Sequence, residues 1–442
     1  MRDWSPEQIA RAAGARLVAV PGAGPPDDVP GPVRVTIDSR DVQRGDLFVG
    51  LPGTRVDGGR FAERALAQGA WGVLAAPEHA LAAAQYATLG VLIASEEPLA
   101  ALQHLARCWR RELGAQVIGI TGSTGKTSTK DLLAAMLSQD RRVVASAQNL
   151  NTEIGLPLTI LAAPAGSEAL VLEMAMRGAG QIAELAAIAE PDVGVIVNVG
   201  PVHLELLGSL EAVAAAKAEL IAGLRPGATA VLPAREPLLD AHLRDDVEVV
   251  TFGRGGDISE LPDDLELPFT SAHMVSNALA ALAAAQAVGA QPRGLLAVSL
   301  SALRGQRIEL AGPVLVIDDC YNANPMSMRA ALDDLAVSAS GRKVAVLGDM
   351  LELGPQEHRY HEEIGAYAAG SGVDVLVTVG PLAARMAQSF GGDAHRAADA
   401  AEAAALTREL LRPGDTVVVK ASRGVGLEVV AQSLQAGVAA KG

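Results

Sequence analysis

The segment Gly119 to Thr127, reading GITGSTGKT, gathers the residue types that bind phosphate. An apolar run from Gln116 to Ile120 leads into the loop, and a helix is expected from about Lys126 to Leu137. Backbone N–H groups of this Gly-rich turn would converge on anionic oxygens where the helix N-terminus adds partial positive charge. Lys126 supplies a mobile cation and the Thr127 hydroxyl a ligand for Mg²⁺. The strict pattern places Gly where Ile120 stands, so the loop is a variant whose strand-loop-helix context carries the reading. Nucleoside triphosphate binding is the chemistry expected.

Ligands of open α/β sheets sit beyond the carboxyl ends of the strands, so residues just after each apolar run are weighed next. Glu173 closes ALVLE and reads either as a magnesium ligand beside the phosphate loop or as a solvated strand-end acid. His203, in Gly200-Pro201-Val202-His203, is either hydrogen-bonded loop filler or the third member of one rim with Thr127 and Glu173. Lys217, in AVAAAKAEL, reads most simply as a lysine with its ammonium in water. Turned inward, it would lose proton affinity, and its neutral amine could add CO₂ to form a metal-binding carbamate. Further on, Asp318-Asp319 follow the run Val314 to Ile317 and lead into Tyr321-Asn322-Ala323-Asn324-Pro325, with Pro325 suited to a first helical position. Asp319 reads equally as a cap for that helix, and Arg423, in Lys420-Ala421-Ser422-Arg423, as the partner of a surface acid.

These residues need elements to hold them, and three α/β sections are expected: 1–109, 110–305 and 306–442. The first has turns from Pro21 to Pro32, a strand Val33 to Ile37, a loop Asp38-Ser39-Arg40 and a helical stretch Phe61 to Gln68. The second alternates helical patterns with strands at Val117 to Ile120, Val143-Val144, Ala169 to Glu173 and Val193 to Val199, as a parallel sheet covered on both faces does. The third repeats the style with strands at Val314 to Ile317, Lys343 to Leu347, Val373 to Val379 and Thr416 to Val419.

With 50% hydrophobic and 20% charged residues, the chain should be globular throughout. Its net charge of −15 argues against a nucleic-acid binder, since such affinity draws on clustered Lys and Arg. The N-terminus lacks a signal-like apolar run, and Ala278 to Ala290 is too short to span a bilayer, so a cytoplasmic location is expected. Cys108 and Cys320 have no metal-ligand spacing and read as reduced, structural thiols.

The runs GITGSTGKTSTK, NLNTEIGLPLT, NVGPVHLELLGSLEAVAAAKAEL, SAHMVSNALAA, DDCYNANPMSMRAAL, VLGDMLELG and KASRGVGLE, in this order and with Glu173, resemble the Mur ligases. TIDSRDVQRGDLFVGLPGTRVDGGRF extends the resemblance nearly to the start of the chain. It implies an N-terminal small α/β domain for a UDP substrate, a central P-loop ATPase domain and a C-terminal Rossmann-like domain. The implied reaction is ATP-dependent joining of D-alanyl-D-alanine to UDP-N-acetylmuramoyl-tripeptide through an acyl phosphate; YNANP stands where the ligase for the third peptide residue carries a different motif. By the same resemblance Gly122 to Ser128 would bind ATP, while Thr127, Glu173, His203 and a carbamylated Lys217 would hold Mg²⁺. His273 and Asn277 would lie near the adenine, and Arg307, Asp319, Tyr321 and Asn322 would reach the nucleotide from the linker and third domain. Asn149, Asn151 and Thr152 would approach the peptide, Ser39, Arg40, Leu47 and Phe48 the uridine end, and Arg423 the substrates. Thr152 stands where the family commonly has Asn, and Gly59 where His commonly follows Asp-Gly. A monomer would suffice, with a hinge near Arg304 to Gln306. Another amide ligase of this fold, such as a folylpolyglutamate synthase, and a nonhydrolysing nucleotide sensor are the alternatives; the Asp38-Ser39-Arg40 segment argues against the first.

Overall fold

The protein was analysed as a computed structural model that describes residues 1–19, 29–86, 90–147, 149–310 and 312–439. Of the expected turns at Pro21 to Pro32, the part up to residue 28 lies outside the described residues.

Three sheets follow one another along the chain. The first has five strands in the order Arg16–Ala19, Val91–Ala94, Gly72–Ala75, Asp46–Val49, Arg34–Thr36, with only the first pair antiparallel. The second is parallel throughout, in the order Glu248–Phe252, Thr229–Pro233, Val193–Ile196, Gln116–Thr121, Ala169–Glu173, Val143–Ala145. The third runs Gln306–Leu310, Val314–Asp318, Thr416–Lys420, Lys343–Gly348, Val375–Val379, Asp393–Ala397, with Gln306–Leu310 an antiparallel edge on a parallel sheet.

The parallel strands are apolar without alternation because helices cover both faces. In the central sheet, Val117, Leu170 and Leu172 enter one core, while Ile118, Ile120, Val171 and Val195 enter the other. The sequence reading of this sheet found four strands and missed Thr229–Pro233 and Glu248–Phe252, the two that extend it to one edge. Helix Pro98–Leu113 runs across the 109/110 boundary and spends its buried face on both neighbours: Leu102 and Leu105 are fully buried, and Arg110 Nε donates to the Ala189 carbonyl at 2.9 Å. The 305/306 boundary falls at the start of the edge strand Gln306–Leu310. Among the described residues no helix is long and apolar enough to cross a membrane.

Candidate active site

The strand Gln116–Thr121 delivers the chain to the phosphate loop, and helix Lys126–Leu137 begins directly after it. Gly125 has φ +78, a left-handed conformation that suits glycine, and the Asn277 carboxamide packs where a side chain would stand. The loop's shape is held from the next strand: Asn198 Oδ1 accepts from the N–H groups of Ser123 and Thr124 at 3.1 and 3.0 Å, and Asn198 Nδ2 donates to the Thr124 carbonyl at 3.1 Å. Ser123 Oγ donates to the Gly200 carbonyl at 3.0 Å, which ties the loop to the turn before His203. Lys126 Nζ donates to the Gly122 carbonyl at 2.8 Å, folded back over the loop. Burial lowers the Lys126 pKa from its ordinary value, Glu173 opposes that shift, and the Arg304 guanidinium adds to it.

Glu173, nearly inaccessible at its strand end, accepts from Thr127 Oγ1 at 2.8 Å and from Asn151 Nδ2 at 2.8 Å. One carboxylate therefore joins the phosphate loop to the segment expected to meet the peptide. His203 caps helix Leu204–Leu207 with φ +53, a conformation uncommon for a side-chain-bearing residue. Its Nδ1 lies 2.5 Å from Glu352 Oε2, and burial holds the imidazole below its ordinary pKa while Glu352 pulls the other way. Glu352 also sits at positive φ, +63.

Lys217 is fully enclosed at 1% exposure, which corrects the simpler sequence reading: its amine is inside the protein, not snorkelling into water. Burial, with Lys126 nearby, lowers its pKa well below the ordinary value. Among the described residues no group of three or more His, Cys, Asp and Glu could hold a metal ion. Thr127, Glu173 and His203 offer a hydroxyl, a carboxylate and an imidazole, and a hard cation that takes six ligands would fill its remaining positions with water, phosphate or carbamate oxygens. Lys217 lies buried with its proton affinity lowered, the condition under which a lysine could add CO₂ and supply carbamate oxygens.

Across from this rim stand residues of the third domain. Asn324, not Asp319, caps helix Pro325–Ser338: its side chain accepts from Ser327 N at 2.9 Å, and Pro325 takes the first helical position as expected. Asp319 instead pairs with the buried Lys420 at 2.5 Å. Arg423 reaches Glu428 at 3.3 Å, and Arg307 is held by Asp334 at 3.0 Å and Ser338 Oγ at 2.8 Å. Arg304, noted in the sequence only as part of a hinge, donates from Nη2 to Thr127 Oγ1 at 3.2 Å.

A single cleft of about 2100 Å³ lies between the two sheets' rims. Its walls include Ser123 to Ser128, Asn149, Asn151, Thr152, Glu173, His203, His273 and Asn277 from the central domain. Arg307, Asp319, Tyr321, Asn322 and Arg423 line the opposite side. Gly122 and Lys217 lie behind this surface. Ser39, Arg40, Leu47 and Phe48 stand apart, in the first domain: Arg40 pairs with Asp38 at 2.7 Å on the surface, whereas Leu47 and Phe48 are fully buried on opposite faces of their sheet. A uridine in that region would therefore meet main chain, not those two side chains. Asn198, Glu352 and Asn324 escaped the sequence reading; Asn198 and Asn324 each follow an apolar run by a few residues, the same signal that singled out Glu173.

The chain matches the Mur ligase family, catalytic domain model over residues 33–109, the Mur ligase middle domain over 120–285 and the Mur ligase, glutamate ligase domain over 303–423. It is 36% identical to the UDP-N-acetylmuramoyl-tripeptide–D-alanyl-D-alanine ligase of Bacillus subtilis, covering 90% of this chain and 92% of that protein. Two solved structures resemble it. MurF from Acinetobacter baumannii superposes with a TM-score of 0.84 at 28% identity, over 98% of this chain and 99% of that one. MurF ligase from Thermotoga maritima, solved in complex with ADP, gives 0.80 at 30% identity, over 92% and 98%.

Proposed function

The chain belongs to the Mur ligase family, and from that premise we propose how its residues perform the family's chemistry. It is an ATP-dependent ligase that joins D-alanyl-D-alanine to UDP-N-acetylmuramoyl-tripeptide, forming the pentapeptide precursor of peptidoglycan. One observation carries the assignment to this site: a phosphate loop and the rim of a second α/β domain share a cleft of about 2100 Å³. Pockets for one small ligand are roughly 300–1000 Å³, so this space suits several reactants at once.

The tripeptide carboxylate attacks the γ-phosphorus of ATP, and the bond to the β–γ bridging oxygen breaks with its electron pair leaving on ADP. Two anions must meet, which requires positive charge at the point of contact. Lys126, which donates to the Gly122 carbonyl at 2.8 Å, would turn from it to bridge phosphate oxygens. Mg²⁺, held by Thr127, Glu173, His203 and a carbamate on Lys217, would supply the remaining neutralisation. Asn151, tied to Glu173, orients the segment that faces the peptide end, with Asn149 and Thr152 beside it. His273 and Asn277 flank the adenine, and Asp319, Tyr321 and Asn322 close over the nucleotide from the third domain. Ser39 and Arg40 serve the uridine end. The neutral amine of D-alanyl-D-alanine then attacks the acyl carbon; the bond from that carbon to the phosphate oxygen breaks with its electron pair leaving on phosphate, the nitrogen gives up a proton, and an amide remains. Water would destroy that intermediate, so enclosure between two domains serves the chemistry. A monomer working in the cytoplasm completes this reading.

The test supplies purified protein with ATP, Mg²⁺, D-alanyl-D-alanine and the tripeptide carrying diaminopimelate, lysine or ornithine as its third residue. ADP and the joined pentapeptide are expected only when all reactants are present, and chelation of Mg²⁺ should stop both. ADP release without either peptide substrate, or no product with any tripeptide, would overturn the assignment.

A further inference from the structure

Arg304 lies in the linker between the central and third domains, and its backbone turns sharply on both sides: Leu303 has φ +61 and Gly305 φ +68. A left-handed leucine costs free energy and persists where surrounding contacts hold it. The result of that turn is specific. The Arg304 guanidinium lies 3.9 Å from the centre of the Tyr321 ring, and Nη2 donates to Thr127 Oγ1 at 3.2 Å, inside the phosphate loop. Its Nε is buried and, among the described residues, has no hydrogen-bond partner. Arg304 has no carboxylate partner among the described ion pairs, in contrast to Arg307, which is held by Asp334. Lys126 is close enough to be affected by the Arg304 charge. Two cations and a hydroxyl thus converge at one end of the phosphate loop, and among the described residues the one carboxylate hydrogen-bonded there is Glu173, which accepts from the Thr127 hydroxyl. Such a constellation is complementary to further negative charge, and a buried guanidinium N–H without a partner is costly until something accepts from it.

We propose that Arg304 is a phosphate-binding catalytic residue that grips the γ-phosphoryl group of ATP from the interdomain linker, with Tyr321 holding its guanidinium plane. The choice of the γ-phosphoryl group follows from Thr127 and Lys126, which mark the β/γ end of a triphosphate in loops of this kind. As the carboxylate oxygen bonds to phosphorus and the bridging bond breaks, charge spreads over the equatorial oxygens, and a guanidinium fork there stabilises it. Because the residue rides on the linker, its arrival reports that the two domains have come together. The inference rests on the ligase reading for the identity of the acceptor, but not for nucleotide binding.

The test titrates ADP and a nonhydrolysable ATP analogue against the wild-type protein, Arg304→Ala and Arg304→Lys, alongside steady-state ligation. For Arg304→Ala, ADP affinity should stay within about twofold, analogue affinity should fall about tenfold, and kcat should drop at least a hundredfold, in line with roughly 10³–10⁵ for arginines that act on phosphoryl transfer. Arg304→Lys keeps charge but loses the fork and should fall between; it also serves if the alanine variant melts early. Guanidinium ion should partly rescue Arg304→Ala. Equal loss of ADP and analogue binding, or kcat within threefold of wild type, would overturn the proposal. A wild-type protein that binds the analogue in an Arg304-dependent way yet joins no peptides would sink the ligase reading and leave this one standing.

Discussion

Glu352 Oε2 lies 2.5 Å from His203 Nδ1, a contact between the third and central domains in which both residues hold left-handed backbone, at φ +63 and +53. The pair brings a carboxylate of the third domain onto a residue at the central rim, and it fixes which imidazole nitrogen remains for the cleft. Gly354, two residues on, packs against the backbone at Leu204 and Glu205, so the contact is part of an interface. Glu352→Ala should lower kcat about tenfold to a hundredfold, in the range seen when a ligand's supporting carboxylate is removed. ADP affinity should change little. Small-angle scattering with nucleotide bound should show a more open molecule; unchanged dimensions and unchanged kcat would remove Glu352 from closure.

The loop that carries Glu352 depends on a buried histidine. Met350 N donates to His361 Nε2 at 2.9 Å, and His361 Nδ1 pairs with the Glu357 carbonyl at 2.6 Å, which requires the neutral ring with its proton on Nδ1. Burial lowers the His361 pKa below the ordinary 6.5. As pH falls below 6.5 the unfolded chain takes up a proton that the folded one refuses, so stability falls through that window and is level above it. His361→Gln should flatten this part of the stability profile, measured by denaturant titration of the third domain's transition between neutral pH and pH 5. An unaltered slope would show that other groups set it.

Asn198 is the main support of the phosphate loop from the neighbouring strand. Asn198→Ala leaves the Thr124 N–H and the Thr124 carbonyl without their partner, while the Ser123 N–H keeps the Asn198 main-chain carbonyl at 3.1 Å. A cost of about 1–3 kcal/mol for such unsatisfied groups, felt mostly by the loop, predicts an ATP KM raised about tenfold or more with the melting temperature nearly kept. Isothermal titration with ADP reads it directly, and wild-type affinity would contradict the supporting role.

Lys217 should be a liability for stability and a requirement for activity. Its folded pKa lies well below 10.5, so between that lowered value and 10.5 the unfolded chain binds a proton the folded one lacks; stability rises with pH across this window. In CO₂-free buffer near neutral pH, Lys217→Met should stabilise the central domain by about 0.5–2 kcal/mol, a gain that shrinks toward pH 10.5. The same variant should lose ligation. For Lys217→Ala, short carboxylates should partly restore it, and complete absence of rescue would leave the carbamate without support.

Phosphate handling itself is checked by Lys126→Ala, expected to lower kcat at least a hundredfold, comparable to removing one preorganised donor from a charged transition state. Near wild-type turnover would contradict the assigned role.

Local pattern alone exposed much of this protein. A glycine-rich loop between an apolar run and a helix is a local object, and GITGSTGKT located its strand and its helix. The same held for Glu173 at its strand end and Pro325 at a helix start, since strand ends and first helical positions are set by neighbours a few positions away, whereas the cap was Asn324 and not the expected Asp319. Strands such as Glu248–Phe252, with burial that is mostly partial, gave too weak a pattern to read, and sheet order had no local signal.

Tertiary structure decided what depends on surroundings supplied by distant chain. Lys217 has an ordinary helical context, and only the packing of other elements around it determines that its amine is shut away from water and loses proton affinity. Arg304 and Arg307 are equally plausible linker arginines in sequence; the left-handed turn at Leu303 and Gly305 sends one to Thr127, and Asp334 holds the other. The amino-acid order therefore specified which groups could do chemistry and on which elements, while the fold chose their charge states and partners, because desolvation and Coulomb interaction act through space and not along the chain.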